Sequence, residues 1–420
     1  MIGESTGWNG TDDQRCSNVF SGVACITIGN PNQGLFMCDF HEATTTSAQL
    51  SRRRMLSSSV GVLTALGLSA CVTKSSTTHP AVSATTALNP TVGGNDDSKL
   101  EIVLLGTMGG PPIEPDRTGI CTAVVVDGYV YVVDCGRSAV TQYVRSGLPQ
   151  SRLAAIFLTH LHADHIADFY NFFLLGGTVG NSASGERIED PVRVFGPGRA
   201  GGLPQKFGGG ESATISESNP TPGTADLVRS LHEAYAYNSN VFMRDSNIRD
   251  IRTIMDVSEI DVTSTGADYL NTAPTMDPIK IMEDSRVRVS ATLVPHGSCY
   301  PAFAYRFDTD YGSVTLSGDT SKSSNLIALA TKTDVLIHEA INLEGAEMPP
   351  AVFNHLLKSH VAVQDVGAIA SEAGAKQLVL SHIGDFVNSP IDSEAWSRWA
   401  QRGYSGKVTV GSDLERIKLA

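Results

Sequence analysis

Short apolar runs broken by Gly, Pro and Asp recur from about residue 99 to the end of the chain. Lys99-Leu-Glu-Ile-Val-Leu-Leu105 predicts a strand ending in the turn Gly106-Thr-Met-Gly-Gly-Pro. Cys121 to Cys135 is strand-like on both sides of Asp127-Gly128, a two-residue hairpin signal. A helix is expected around Ser138–Arg145, and Leu153–Leu158 reads as a buried strand. Phe169, Phe172, Phe173 and Leu174 predict a helix with an apolar face, followed by a strand at Val192–Phe195. Residues 198 to about 284 break this rhythm, being Gly/Ser-rich at first, helical from about Ala225, then mixed. Strand-like runs resume at Val287–Val294 and continue at Ala302–Phe307, Ser313–Leu316, Val335–Ile337 and Leu378–Leu380, with a helix at Ala362–Ala373. Two similar halves of strands and interposed helices imply two facing sheets covered by helices on both outer sides. No repeat of 20–50 residues is visible.

The upstream sequence has a different character. Ser51-Arg52-Arg53-Arg54-Met55-Leu56 opens an apolar stretch to Ala70 that is too short and too rich in Ser and Gly for a good membrane span. An arginine pair before a weak apolar segment resembles the twin-arginine signal that exports folded proteins. Leu68-Ser69-Ala70-Cys71 resembles a lipoprotein cleavage box, which would make Cys71 the lipidated first residue of the mature chain. The expected organisation is an N-terminal extension and signal over 1–71 and a flexible tether over 72–98, rich in Ser, Thr, Ala and Pro. One hydrolase domain over 99–420 follows, carrying the insert at about 198–284. Translation starting at Met37 is an alternative, because residues 1–36 show no clear pattern. The expected location is the cell envelope, with a lipid anchor in the membrane.

Composition adds one constraint. The 420 residues hold 31 basic and 44 acidic side chains, a net charge of −13, with 41% hydrophobic residues. That is an ordinary globular composition, and its acidity gives no electrostatic footprint for nucleic acid. In the hairpin register Cys121 faces Asp134, which puts Cys135 on the opposite side of the sheet. The two are expected to be small core residues rather than a disulfide.

The chemistry is concentrated at Thr159-His-Leu-His-Ala-Asp-His-Ile-Ala-Asp168. His160 and His162, two apart on an extended strand end, point the same way and can reach one ion. Asp164 and His165 on the following turn can reach a second ion about 3.5–4 Å away. Imidazole and carboxylate without thiolate suit zinc, or less often iron or manganese, in an open hydrolytic site. Further candidates stand just past other strand-like runs: His296, Asp319 and His382.

This pattern resembles the metallo-β-lactamase superfamily, and within it the branch of ribonuclease Z and arylsulfatase-like hydrolases. The resemblance covers about residues 99–420. It implies an αββα sandwich with an inserted cap segment and two Zn2+ at the edge between the sheets. By that correspondence His160, His162 and His296 hold one zinc, Asp164, His165 and His382 the other, and Asp319 bridges. Ile337-His338-Glu339-Ala340 resembles the His-Glu-Ala-Thr segment of ribonuclease Z, with Ile341 in place of the threonine. Ser359-His360 resembles the branch's histidine before a helix. Glu339 and His360 are thereby implied to form the proton-donating pair, with His355 a rival for His360. Asp164 is the implied residue that orients the attacking hydroxide or accepts its proton.

The substrate expected from these readings is a small anionic ester, a phosphodiester or sulfate, cleaved by metal-bound hydroxide in the envelope. Ribonuclease Z acts on precursor tRNA and carries an arm that grips the tRNA elbow. The insert here is not notably basic, and an exported acidic lipoprotein would not meet tRNA. A helical cap could wall the site or mediate homodimerisation, or be a passive surface insert. The alternatives are a ribonuclease Z-like tRNA 3′-processing endoribonuclease, a lactone or β-lactam hydrolase, and a metal-binding lipoprotein without catalysis.

Overall fold

A computed structural model describes residues 98–180, 185–206, 209–210 and 213–420. The arginine signal, Cys71 and nearly all of the tether lie outside the described residues.

The first half contains β1 (Leu100–Gly106), β2 (Cys121–Val126), β3 (Tyr129–Val133), α1 (Ala139–Arg145) and β4 (Leu153–Phe157). Two short helices follow, α2 (Ala163–Ile166) and α3 (Asn171–Leu174), then β5 (Val192–Pro197), α4 (Thr224–Ala234), α5 (Ala236–Ser246) and β6 (Met255–Ile260). The second half runs β7 (Ile279–Glu283), β8 (Arg288–Leu293), β9 (Phe303–Thr309), β10 (Gly312–Leu316), α6 (Ser324–Leu329) and β11 (Val335–Asn342). It ends with α7 (Pro350–Ser359), α8 (Val363–Ala373), β12 (Gln377–Asp385), α9 (Ser393–Ala400), β13 (Lys407–Val410) and β14 (Glu415–Lys418).

The strands form two seven-stranded mixed sheets, ordered β14-β1-β2-β3-β4-β5-β6 and β13-β12-β11-β10-β9-β8-β7. Side chains of both inner faces interdigitate in one core, with Ile102, Val124 and Phe157 from the first sheet and Val289, Phe307 and Val335 from the second. Phe157 meets Phe307 edge-on with ring centroids 5.3 Å apart, an arrangement favoured by the ring quadrupoles. The outer face of the first sheet packs Val103, Cys121 and Val132 on Tyr143, Phe172 and Val228 from its helices. The second packs Leu336, Leu378 and Leu380 under Leu326, Val366 and Trp396. Strands buried on both faces explain why most inner runs are continuously apolar rather than alternating.

Two features depart from the sequence pattern. Within 198–284, Met255–Ile260 is an edge strand of the first sheet and Ile279–Glu283 an edge strand of the second. Edge strands bury few of their side chains, so neither carries a continuous apolar run. Cys135 does not cross to the opposite face. It shares the outer cluster with Cys121, because Asp134 adopts φ 59° and ends the strand alternation one residue early. Both thiols are free and buried.

Candidate active site

Four strand ends deliver the predicted ligands to one place at the edge between the sheets. The chain leaving β4 carries His160 and His162, and α2 carries Asp164 and His165. His296 follows β8, Asp319 follows β10, and His382 lies within β12. At His382 the strand bulges. His338 pairs with Leu380 but Ala340 pairs with Ile383, and His382 has φ 53°. The extra residue re-aims the imidazole out of the ladder, a device common beside active sites. Gly109 makes room for it, since a Cβ there would stand 2.6 Å from His382 Nδ1.

The ligand atoms converge in two groups. His162 Nδ1 is 2.9 Å from His160 Nε2 and 3.1 Å from His296 Nε2. Asp164 Oδ2 lies 3.4 Å from both His165 Nε2 and His382 Nε2. Asp319 Oδ2 stands between the groups, 3.2 Å from His382, 3.4 Å from His165, 3.7 Å from His296 and 3.9 Å from His160. His160, His165, His296, Asp319 and His382 are buried, whereas His162 is exposed on the open side. All seven candidates are thus brought together.

Whether these residues fit metal ions can be tested on their free valences. His165 Nε2, Asp319 Oδ1 and His382 Nδ1 are buried without a hydrogen-bond partner. Orphaned polar atoms of this kind are costly unless something else satisfies them. His296 donates from Nδ1 to the Ser359 carbonyl at 2.8 Å and His165 from Nδ1 to Asp134 Oδ2 at 2.8 Å, which leaves each Nε2 lone pair facing inward. Burial lowers the pKa of His160 and His162 and takes His296 down to about 3, so these rings stay neutral, as ligands must. Burial opposes charge on Asp164 and Asp319 too, but His165 and His382 outweigh it and keep both carboxylates ionised. For His165 burial is overcome by Asp319 and Asp134, which raise its pKa; a bound cation would take over that compensating charge. The donor set fits divalent metal.

Asp134 is a further candidate that its sequence position did not reveal. Its carboxylate also accepts from Thr159 N at 2.8 Å and Thr159 Oγ1 at 2.9 Å, so it locks the start of the histidine segment. Asp134→Asn should lower metal affinity by about 10–100-fold, the usual cost of losing an outer partner of a ligand histidine. Asn tolerates the left-handed backbone there. Competition with a chelator reads the change, and unaltered affinity would remove Asp134 from the site. Gly110 N donates to Asp164 Oδ2 at 3.0 Å and holds the second carboxylate from the other side.

Glu339 and His360 adjoin the cluster. Glu339 sits in β11, 2% exposed, with Oε1 accepting from Val361 N at 3.0 Å. Its Oε2 is 3.4 Å from His360 Nδ1. His360 caps the C-terminus of α7, and its ring centroid is 5.0 Å from that of His296 and 5.8 Å from that of His382. His355, one turn back on α7, is exposed and belongs to none of the metal-competent groups among the described residues.

Comparisons with known proteins bear on the fold and on the segment that carries the histidines. Residues 116–180, which include the histidine segment, match the family model described as Metallo-beta-lactamase superfamily. The solved structure of the metallo-beta-lactamase fold protein YhfI from Bacillus subtilis superposes with TM-score 0.50 at 17% identity, covering 76% of this chain and 99% of that one. The likeness shows a metallo-β-lactamase fold, and the candidate metal site lies at the edge between its two sheets. The chain's sequence is similar to ribonuclease Z of Mycobacterium bovis BCG Pasteur, 29% identical over 321 residues that cover 76% of this chain and 98% of the relative. Ribonuclease Z of Mycobacterium tuberculosis H37Rv is 28% identical over the same length, with the same coverage. The short form of human tRNase Z superposes with TM-score 0.50 at 19% identity, covering 76% and 99% of the two chains.

Proposed function

We propose that this chain is a metal-dependent phosphodiesterase of the ribonuclease Z type, with RNA phosphodiesters the first substrates to consider. The observation that carries the reading is the Glu339–His360 pair set against the metal cluster. The similarity to ribonuclease Z over nearly the whole length of those relatives supports it. That support reverses the order expected from charge and the export signal, in which small esters came first. No observation favours sulfate esters, lactones or β-lactams.

We infer zinc as the metal from the nitrogen and oxygen donors. His160, His162 and His296 would hold one ion and Asp164, His165 and His382 a second, with Asp319 shared. Such ions supply Lewis-acid polarisation of the phosphoryl group and of the attacking water. The chain's own residues do the rest. Asp164, pinned by Gly110 N, orients the water and can take its proton. His360 donates a proton to the departing oxygen, and Glu339 holds the imidazole in place and keeps it protonated.

The His360 environment sets a pH dependence. Burial works against its charge, but Glu339 outweighs burial and raises its pKa to about 9. The donor is therefore loaded at neutral pH, and donation is lost as pH rises through that value. Glu339→Gln removes the larger of two raising influences, leaving that of Asp319, and should move the alkaline limb of kcat downward, read on a diester with an unactivated alcohol leaving group. An unmoved limb would detach Glu339 from proton donation.

A second reading, small phosphodiesters rather than RNA, is favoured by charge. Glu114, Asp116 and Asp385 line a cleft shared with Met108, next to the Gly109–Gly110 loop, while the Arg117 guanidinium there turns inward to Thr107 Oγ1 and the Gly411 carbonyl. Carboxylates at that position repel a polyanion. Cleavage of a precursor tRNA transcript, compared with bis(p-nitrophenyl) phosphate, decides: site-specific cleavage of the transcript supports the first reading, and turnover of the small diester alone supports the second.

Export remains a proposal from sequence. We propose that residues 1–71 direct twin-arginine export and that Cys71 is lipidated. A reporter fused behind residues 37–75 should reach the envelope and take up label from a radioactive fatty acid, and retention in the cytoplasm would refute this.

A further inference from the structure

We propose that a cleft between the insert and α7 is the leaving-group subsite of this hydrolase and takes a flat aromatic ring against Tyr269. The proposal rests on the phosphodiesterase reading and adds to it the side of the ester that the insert selects.

The cleft is walled by Tyr269 and Leu270 from the insert and by His355 and Lys358 from α7. Its floor includes Pro295 and Gly297, the two neighbours of His296. The same wall runs directly into the proton donor. Gly297 N donates to the Lys358 carbonyl at 3.2 Å, His296 Nδ1 donates to the Ser359 carbonyl at 2.8 Å, and His360 follows. The cleft therefore adjoins both the chain around His296 and the end of α7 that carries His360.

The Tyr269 ring is held as a platform. It lies on Gly202, where a Cβ would come 2.5 Å from Tyr269 Cε1 and 2.7 Å from Cζ, so the ring keeps its position only over glycine. Leu270 beside it is 71% exposed, a large apolar side chain left on the cleft wall. Among the described residues no carboxylate lines this cleft, in contrast to the one holding Glu114, Asp116 and Asp385. The described lining sets Tyr269, Leu270, Pro204 and Pro295 beside the polar Gln205, Thr272 and Ser298. Ring stacking on an aromatic side chain is sequence-tolerant and strong enough to be read in binding.

The test uses the zinc-loaded full chain and methyl p-nitrophenyl phosphate, whose departing group is the ring. Tyr269→Ala should raise KM about tenfold with little change in kcat, and Tyr269→Phe should leave both near wild type. Gly202→Val, which displaces the ring without removing it, should reproduce the Tyr269→Ala effect. Dimethyl phosphate, a competitive probe without a ring, should keep its Ki in every variant. Unchanged KM in Tyr269→Ala and Gly202→Val overturns the subsite, as does a parallel rise in the dimethyl phosphate Ki, which would mean general distortion. Absence of turnover by the wild type overturns the phosphodiesterase reading and the subsite with it. Inhibition by adenosine or by phenol that is lost in Tyr269→Ala supports the subsite and assigns the ring to a nucleoside or to a simple aryl alcohol.

Discussion

Replacing His360 with alanine should slow hydrolysis of a phosphodiester with an alcohol leaving group by about 10²–10⁴-fold, the usual worth of a positioned proton donor. Bis(p-nitrophenyl) phosphate should slow by less than about tenfold, because nitrophenolate departs without a proton. The contrast matters more than either number. His360 stands 3.4 Å from a buried carboxylate and beside two candidate ligands, so a purely structural role would depress both substrates together. Equal losses would remove His360 from the chemistry. His355→Ala should spare kcat on both substrates, since that side chain lines the neighbouring cleft rather than the cluster.

Asp319→Ala should damage both metal binding and turnover. Its Oδ2 is within 3.9 Å of four imidazoles, so among the described residues it is the carboxylate that faces both ligand groups. Its removal should reduce bound metal to one ion or less per chain. It should also cut kcat/KM by about 10³-fold or more, corresponding to the several kcal/mol that metal stabilisation of the transition state supplies. Metal analysis of the purified variant, with thermal unfolding in chelator to show that the fold persists, reads the outcome. Two tightly held ions and near-normal turnover in the variant would mean that Asp319 does not bridge.

The candidate ligand positions were legible because in each case an apolar run gives way abruptly to His or Asp. Four fall within the six residues His160–His165, and His296, Asp319 and His382 repeat the arrangement. The double-sheet architecture was legible for a related reason: strands buried on both faces leave long apolar runs. What escaped notice depends on tertiary context. Asp134 acts through a left-handed turn that no periodicity signals. Helix α7 starts at a proline and exposes most of its side chains, and it carries His360 at its end and His355 and Lys358 on the cleft wall. Strands β6 and β7 sit at sheet edges, and their mixed burial concealed them within a segment that read as an insert.

The most direct measurement compares turnover of bis(p-nitrophenyl) phosphate and p-nitrophenyl sulfate by the full chain at one pH, first after chelation and again as zinc is returned. The account predicts that chelation abolishes diester turnover and that activity returns with zinc up to two ions per chain. It also predicts that the diester is preferred over the sulfate by at least about 10²-fold, as the phosphodiesterase reading requires. Diester turnover that survives chelation, or preference for the sulfate, would contradict it.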